Sequence, residues 1–394
     1  MVVRPRQLSL QMELSRYDVI IIGAGAAGLS AAGVLARRNK RVVVFDMGTQ
    51  PGRKVLASGG GRCNITNLAV KYDRYFSENP DFVRGAISRV SPYDIINWAD
   101  SHDIALVEKS AGQYFCADGA GVVLDALMHD AHGVDFVYNT AVDCVRKDGD
   151  DFVVNGCVAR SVIVATGGTS FGALGVSDAG HKIARAFGHR IVPVRPALCA
   201  LAFDGAPTEL AGVSLDAIIT IGKRSVRDSL LFTHFGIGGP AAYRASLYDL
   251  SCGISINLVP DVDVFAELRN AKKIQGRKTV AGVLGQWMPA RVAKWIVGAD
   301  ARNIADVRDA ELETIARQTS CLQVAGNKIK YHSMASAEVV RGGVDTNQVS
   351  SKTMESKLCP GLYFVGEVLD VAGDLGGFNL HWAWASGRVA GENA

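Results

Sequence analysis

Gly23-Ala24-Gly25-Ala26-Ala27-Gly28 has the spacing G-x-G-x-x-G. In that spacing the first glycine permits a tight turn and the second lets a pyrophosphate reach the backbone. The third lets a helix close on a strand. The context is right for it. Val19-Ile20-Ile21-Ile22 reads as a strand covered on both faces, and the alanine-rich run to about Arg37 as a helix. That helix would turn unpaired N–H groups and a positive dipole end toward phosphates. Val42-Val43-Val44-Phe45 reads as the next strand, and Asp46 closes it. A carboxylate there accepts from both ribose hydroxyls of an adenosine and repels a 2′-phosphate.

Three further glycine clusters follow, at 59–61, 166–168 and 373–377. A lone nicotinamide nucleotide needs none of them. A long ligand threaded along several strand ends does, so the pattern points to FAD. Ser58-Gly59-Gly60-Gly61-Arg62-Cys63-Asn64 is the most specific stretch. Its glycines let backbone lie against a flat ring or a phosphate, and Arg62, with Lys54 nearby, can neutralise phosphate or an anionic reduced flavin. Cys63 reads first as a small buried residue and second as a thiol activated by Arg62.

These motifs need a scaffold of alternating strands and helices. Residues 51–67 read as a glycine-rich loop, 75–108 as helical with breaks, and 134–158 as short strands with a turn at Lys147-Asp148-Gly149-Asp150. Ser161–Ala165 and Leu362–Val365 read as two more buried strands, and a helix starts near Phe378. Between them the character changes. Pro193, Pro196 and Pro207 punctuate strands at 191–203, 213–222 and 252–259, and 261–320 has helical spacing. The expected organisation is a discontinuous FAD domain, 17–190 and 345–394. Its insertion would have a β-rich part (191–260 and 321–344) and a helical part (261–320).

Composition sets limits. The chain has 394 residues with 42 Lys+Arg against 39 Asp+Glu, a near-balance that gives no electrostatic case for nucleic acid or a membrane surface. Hydrophobic residues at 48% exclude disorder for the bulk of the chain. Eight cysteines lack C-x-x-C spacing and zinc-finger spacing with histidine, so no metal site is expected, and reduced thiols in a cytoplasm are. The uncharged run from Val19 to Ala36 is broken by four glycines and is not a span. Residues 1–16, with Arg4, Arg6 and Arg16, read as a loose leader or extension before a transit peptide.

KVLASGGGRCNITN (54–67), ATGG (165–168), LFTHFGIGGPA (231–241) and TMESKLCPGLYFVGEVLDVAGDLGGFNLHWAWASG (353–387) together carry a resemblance. From about 17 to 391 the chain resembles the BaiN/YhiN-like family of bacterial NAD(P)/FAD-dependent oxidoreductases, the aminoacetone-oxidase-like flavoproteins. The resemblance implies an α/β fold: a glutathione-reductase-type Rossmann FAD domain with an inserted β-barrel-like domain and a small helical subdomain. It implies non-covalent FAD, with pyrophosphate on Gly23, Gly25, Ala27 and Gly28 and ribose on Asp46. Lys54, Gly60, Gly61, Arg62, Cys63 and Asn64 would line flavin and phosphates, and the backbone of Val142 would meet adenine. Thr166 and Gly167 would close over the adenosine half. Gly366, Glu367 and Asp370 would reach the ribityl and pyrophosphate part. Gly377, Phe378, Asn379 and Leu380 would present a helix N-terminus to the isoalloxazine, where a positive dipole end stabilises the reduced anion.

The chain departs from that family at four places. Gln113-Tyr114-Phe115-Cys116 stands where Arg-x-Phe-Pro is common, and Gly236-Ile237-Gly238-Gly239-Pro240 where Gly-x-Ser-Gly-Pro is common. Ser170-Phe171-Gly172 replaces a Tyr-Pro pair, and His381 replaces glutamine. No phosphate-binding glycine is lost, so the departures bear on substrate rather than cofactor.

Two histidines are candidates for the proton that accompanies hydride transfer. His234 opens the glycine-rich turn of the insertion, and His381 sits on the first turn of the helix expected near the flavin. The bland reading of each is a hydrogen-bonded structural histidine. Trp382 and Trp384 read as packing.

The expected activity is hydride transfer between FAD and a small organic substrate, with no nucleic acid and no membrane as partner. The resemblance implies NAD(P)H-fed reduction of an activated C=C bond. An amine oxidase using O2 is the nearest alternative. A flavin-dependent RNA-modifying protein and a non-catalytic flavin binder are the others, the former disfavoured by the charge balance and the lack of a basic, aromatic-interleaved tract.

Overall fold

A computed structural model describes residues 15–109, 112–170, 172 and 177–394. Arg4, Arg6 and Phe171 lie outside the described residues. The described chain divides into two units. One comprises residues up to 168, then 177–193 and 342–394; the other is built chiefly from 194–341.

Continuous β-branched runs form the centre of the first unit. Ser15–Ile22 lies between Val42–Phe45 and Cys157–Val164, parallel to both. Asp135–Val137 extends the sheet beyond Val42–Phe45, and Leu362–Phe364 extends it beyond Cys157–Val164, again in parallel. Only the meander Arg146–Asp148 and Asp151–Val154 runs antiparallel. All four residues of Val42–Phe45 are buried, as a sheet covered on both faces requires. The carboxyl ends of the parallel strands therefore emerge along one edge. They lead into Gly23, Asp46, Thr166-Gly167 and Gly366. Crevices at such an edge are where ligands bind in open α/β sheets.

The helix Ala26–Arg37 packs closely on the helix Phe378–Asn393. A Cβ on Gly387 would overlap the carbonyl oxygen of Ala27, and one on Gly391 would lie 2.8 Å from that of Ala31. Ser30 Oγ donates to the carbonyl of Trp384 at 3.0 Å. The segment expected as an irregular loop at 51–67 holds more structure. It has a short helix Arg53–Ala57, a tight turn Ser58–Gly61 and a strand Asn64–Asn67. That strand pairs antiparallel with Gln113–Cys116.

Among the described residues, the second unit is a seven-stranded antiparallel sheet with five α-helices, the first of them Gly239–Ala245. Its strand order is Leu322–Val324, Ile254–Asn257, Ser214–Ile221, Arg224–Thr233, Gly236–Gly238, Leu201–Phe203, Ile329–Tyr331. The pairing runs as an open path, and no pairing among the described residues closes the two end strands on each other. The helices Val264–Ile274, Val280–Leu284, Ala290–Val297 and Asp309–Ser320 bury Leu268, Val283, Val292 and Leu312 in the same cluster as Ile219 and Phe232 of the sheet. They share one hydrophobic cluster with the sheet. The strand Arg224–Thr233 has no counterpart among the sequence expectations.

Candidate functional site

The glycine motif takes the conformation its spacing requires. Gly23 has φ of 109°, outside the range of ordinary residues. A Cβ on Gly28 would overlap the carbonyl oxygen of Gly23, so the helix approaches the strand only because no side chain is there. Gly25 is different, since a Cβ on it would meet no atom within 4 Å. That open side lies at the N-cap of Ala26–Arg37. No side chain caps this helix, and its first turn holds no acidic residue. Its first N–H groups are the unsatisfied donors that bind phosphate.

Asp46 is anchored beside this turn. Its Oδ2 accepts from the Ala24 N–H and its Oδ1 from the Gly48 N–H, both at 2.7 Å. Thr140 N–H donates to the Asp46 carbonyl at 2.9 Å, which brings Val142 close behind. Val142 is buried, and among the described residues its backbone makes no hydrogen bond. An adenine edge would satisfy those groups.

The same edge gathers the rest of the cradle. Gly52 N–H donates to Ala24 O at 2.8 Å and starts the helix that carries Lys54. Lys54 Nζ lies 2.6 Å from Glu367 Oε2. Glu367 follows Gly366, whose Cβ, if present, would stand 2.9 Å from that of Ala27. Thr166 and Gly167 continue from Cys157–Val164, and a Cβ on Gly167 would meet nothing within 4 Å. Gly59, Gly60 and Gly61 all have positive φ and are exposed, as is Arg62.

The helix Phe378–Asn393 starts at Gly377, with φ of 94°, no capping side chain and no acid in its first turn. A Cβ on Gly377 would lie 2.7 Å from Thr66 O and 2.8 Å from the Asn64 side chain. Asn379 fixes the preceding loop by accepting from Gly373 N–H at 2.7 Å and donating to Gly373 O at 3.0 Å. Leu380 is half-buried, whereas the ring of Phe378 is buried against Tyr75 and Arg74, so Phe378 offers a ligand only its backbone.

Burial bears on three of these residues. His381 is fully buried; its Nδ1 lies 2.8 Å from Thr66 Oγ1 and its Nε2 2.9 Å from Val90 O. A carbonyl only accepts, so Nε2 carries the proton and Nδ1 accepts from the threonine hydroxyl. Burial pushes its pKa down to about 4. His381 is a neutral structural residue, not a proton donor. The Cys63 thiol is buried and pushed up to about 12 by desolvation, which removes it as a reactive thiolate. The Asp370 carboxylate is buried and accepts from Glu78 N–H at 2.7 Å and Gly342 N–H at 3.1 Å, so it is turned into the protein. His234 is exposed at the turn between Arg224–Thr233 and Gly236–Gly238 of the second unit.

Sequence reasoning missed residues that shape the site from outside its motifs. Gln113 touches Asn64 at 2.9 Å, and a Cβ on Gly376 would lie 2.9 Å from its side chain. Asn67 Nδ2 donates to Gly376 O at 2.8 Å. Gln113 was visible as a departure from the family pattern; its place against the loop at 373–377 was not.

The geometry fits FAD. Two uncapped helix starts, a ribose acid and bare glycine backbone lie along one strand-end edge, and two cations accompany them. Comparison with known proteins agrees. The family model described as "HI0933-like protein Rossmann domain" matches residues 17–393. The chain is 38% identical to a protein of Escherichia coli (strain K12) named "Ribosomal RNA dihydrouridine synthase", over 96% of this chain and 98% of that one. It is 38% identical to a protein of the same name from Haemophilus influenzae, over 95% and 97%. It is 29% identical to the "3-dehydro-bile acid delta(4,6)-reductase" of Clostridium scindens, over 95% and 98%. With its motif glycines in place and the match running nearly end to end, the chain belongs to the HI0933-like Rossmann family of FAD-dependent oxidoreductases.

Proposed function

We propose that this protein reduces the 5,6 double bond of a uracil ring in ribosomal RNA, giving dihydrouridine, with NAD(P)H as electron donor. The observation that carries the reading is the 38% identity, over nearly the full length of both chains, to proteins named for that product. The relative at 29% identity is likewise named for a reduction. Both names agree with the expected reduction of an activated C=C bond, and neither with an amine oxidase.

FAD, when bound, supplies the hydride. The chain supplies the rest. The open backbone at Gly25 and the start of Ala26–Arg37 hold the pyrophosphate, and Asp46 orients the adenosine ribose. The start of Phe378–Asn393 and the exposed Arg62 favour negative charge on the flavin ring. A carbonyl-activated double bond also needs a proton at the carbon next to the carbonyl. With His381 sealed in the core, His234 is the stronger and His332 the weaker of the donor candidates that the sequence offers.

The near-neutral total charge does not oppose RNA once charge is read locally. Ala271–Lys278 holds Lys272, Lys273, Arg277 and Lys278 with no acid between them. Lys273, Arg277 and Lys278 are exposed and form no ion pair with a described residue. Such cations bind phosphate backbone without reading sequence.

The test is to incubate FAD-loaded protein with NADH or NADPH and ribosomal RNA transcribed in vitro, then digest to nucleosides and weigh them. Dihydrouridine, about 2 Da heavier than uridine because it carries two more hydrogens, is the expected product. The triple substitution Lys273→Glu, Arg277→Glu, Lys278→Glu should raise KM for RNA at least tenfold while NAD(P)H bleaches the flavin as before. Turnover of a conjugated enone with no dihydrouridine formed would replace RNA with a small-molecule substrate. Rapid reoxidation by O2 after reduction by an amine would restore the oxidase reading.

A further inference from the structure

In the second unit Phe235 and His332, far apart in sequence, lie flat against each other, with ring centroids 3.7 Å apart and planes 5° from parallel. Backbone hydrogen bonds to the strand Leu201–Phe203 and its flank hold both. Phe203 N–H donates to Phe235 O at 3.0 Å, and His332 N–H donates to Ala200 O at 2.9 Å. Leu201 faces Tyr331 in the ladder, so the end strand Ile329–Tyr331 continues in register to His332.

Side chains alternate along a strand. Leu201 and Tyr331 join the hydrophobic cluster, which puts Lys330 and His332 on the opposite face. There the neighbouring strand presents only the methyl groups of Ala200 and Ala202. His332 is exposed although Phe235 covers one side of its ring, so its exposure lies on the other side and the ring edge. Lys328 and Lys330 are exposed and form no ion pair with a described residue. His234, next to Phe235, is exposed too.

We propose that His332, backed by Phe235, stacks on an unpaired base of the RNA substrate and that Lys330 neutralises a phosphate beside it. An open ring with free cations along one sheet edge has the chemistry of a single-strand contact, in which the ring takes the base and the lysine the backbone. The inference rests on the reduction of RNA, and that reaction calls for such a contact. The 5,6 bond of a stacked uracil is out of reach, so the nucleotide must leave its stack and its neighbour loses a partner. The pairing with Phe235 fixes the plane of the imidazole beforehand, which leaves less to order on binding. His332 thereby serves binding rather than proton donation.

The probe is a fluorescein-labelled oligouridylate about ten nucleotides long, followed by anisotropy on the FAD-loaded protein beside an abasic strand of the same length. The abasic strand should bind at least fivefold more weakly. His332→Ala should weaken oligouridylate at least fivefold and leave the abasic strand unchanged. His332→Phe should restore binding, because a phenyl ring stacks without a proton to give. Lys330→Ala should weaken both strands alike and lower the slope of log Kd against log salt by about one. FAD content and Tm report whether each variant is folded, and if His332→Ala does not fold, the two strands on the unaltered protein still decide. Equal binding of the two strands, unchanged oligouridylate binding in folded His332→Ala, or His332→Phe as weak as His332→Ala would each overturn the stacking role, even with dihydrouridine formed. Ring-dependent binding with no dihydrouridine from ribosomal RNA would instead overturn the reaction and uphold the contact.

Discussion

His381 shows how much of a residue's role is set by partners far away in the chain. Its hydrogen-bond partners, Thr66 and Val90, are about three hundred positions earlier. Nothing near residue 381 reveals them, which is why the position read as chemistry. Its burial has a measurable effect. The folded imidazole titrates near 4, below the roughly 6.5 of an unfolded histidine. The unfolded chain therefore binds the proton first as pH falls. Stability from this residue is complete above about 6.5, declines between there and about 4, and is then level, a loss of about 3 kcal/mol. Glutamine, which the family resemblance places at this position, can accept from Thr66 and donate to Val90 O without titrating. His381→Gln should leave Tm at neutral pH within a few degrees of the parent and flatten its fall between pH 6.5 and 4. A Tm–pH series on both proteins checks this, and an equally steep fall in the variant would assign the acid sensitivity to other groups.

At the scale of elements, the strand–turn–helix around residue 25 separates folding from binding within six residues. Gly28 is required by the protein itself, because a side chain there would collide with the Gly23 carbonyl. Gly25 is not, because its open side meets no protein atom. Gly28→Ala should therefore lower the Tm of the FAD-free protein by several degrees. Gly25→Val should leave that Tm within a degree or two and weaken FAD binding at least tenfold. Apo-protein melting and FAD titration separate the two. This turn was legible in the sequence because its meaning lies in local spacing. So were the parallel strands, whose apolar runs reflect burial on both faces. Arg224–Thr233 was harder, since arginine, serine and aspartate interrupt it. The signal was its alternation, with Val226, Leu230 and Phe232 buried on one face. Three-dimensional neighbours such as Gln113 with the loop at 373–377 have no local signal at all.

The whole molecule holds two hydrophobic clusters with no buried residue in common. One is built around the parallel sheet and the other around the antiparallel sheet and its helices. A ligand that binds only the folded state raises stability by mass action, and every residue of the proposed FAD cradle belongs to the first unit. Removing FAD should lower the melting temperature of the first unit and leave that of the second largely unchanged. Calorimetry of apo and FAD-loaded protein should show one transition that moves and one that stays. A single transition moving as a whole would mean that the two clusters melt as one cooperative block.

Synthesis order adds a constraint. The strand Leu362–Phe364 pairs with Cys157–Val164, and the helix Phe378–Asn393 closes on Ala26–Arg37. Residues translated later thus complete a sheet and a helix pair begun by residues translated earlier. The antiparallel sheet and its helices, all encoded between residues 194 and 341, emerge while the earlier half of the parallel sheet still has an open edge. A nascent chain leaves Ile163 and Leu29 exposed until residues 362–393 are made. Chaperone capture during translation, and aggregation of chains truncated after about residue 360, follow from that order of assembly.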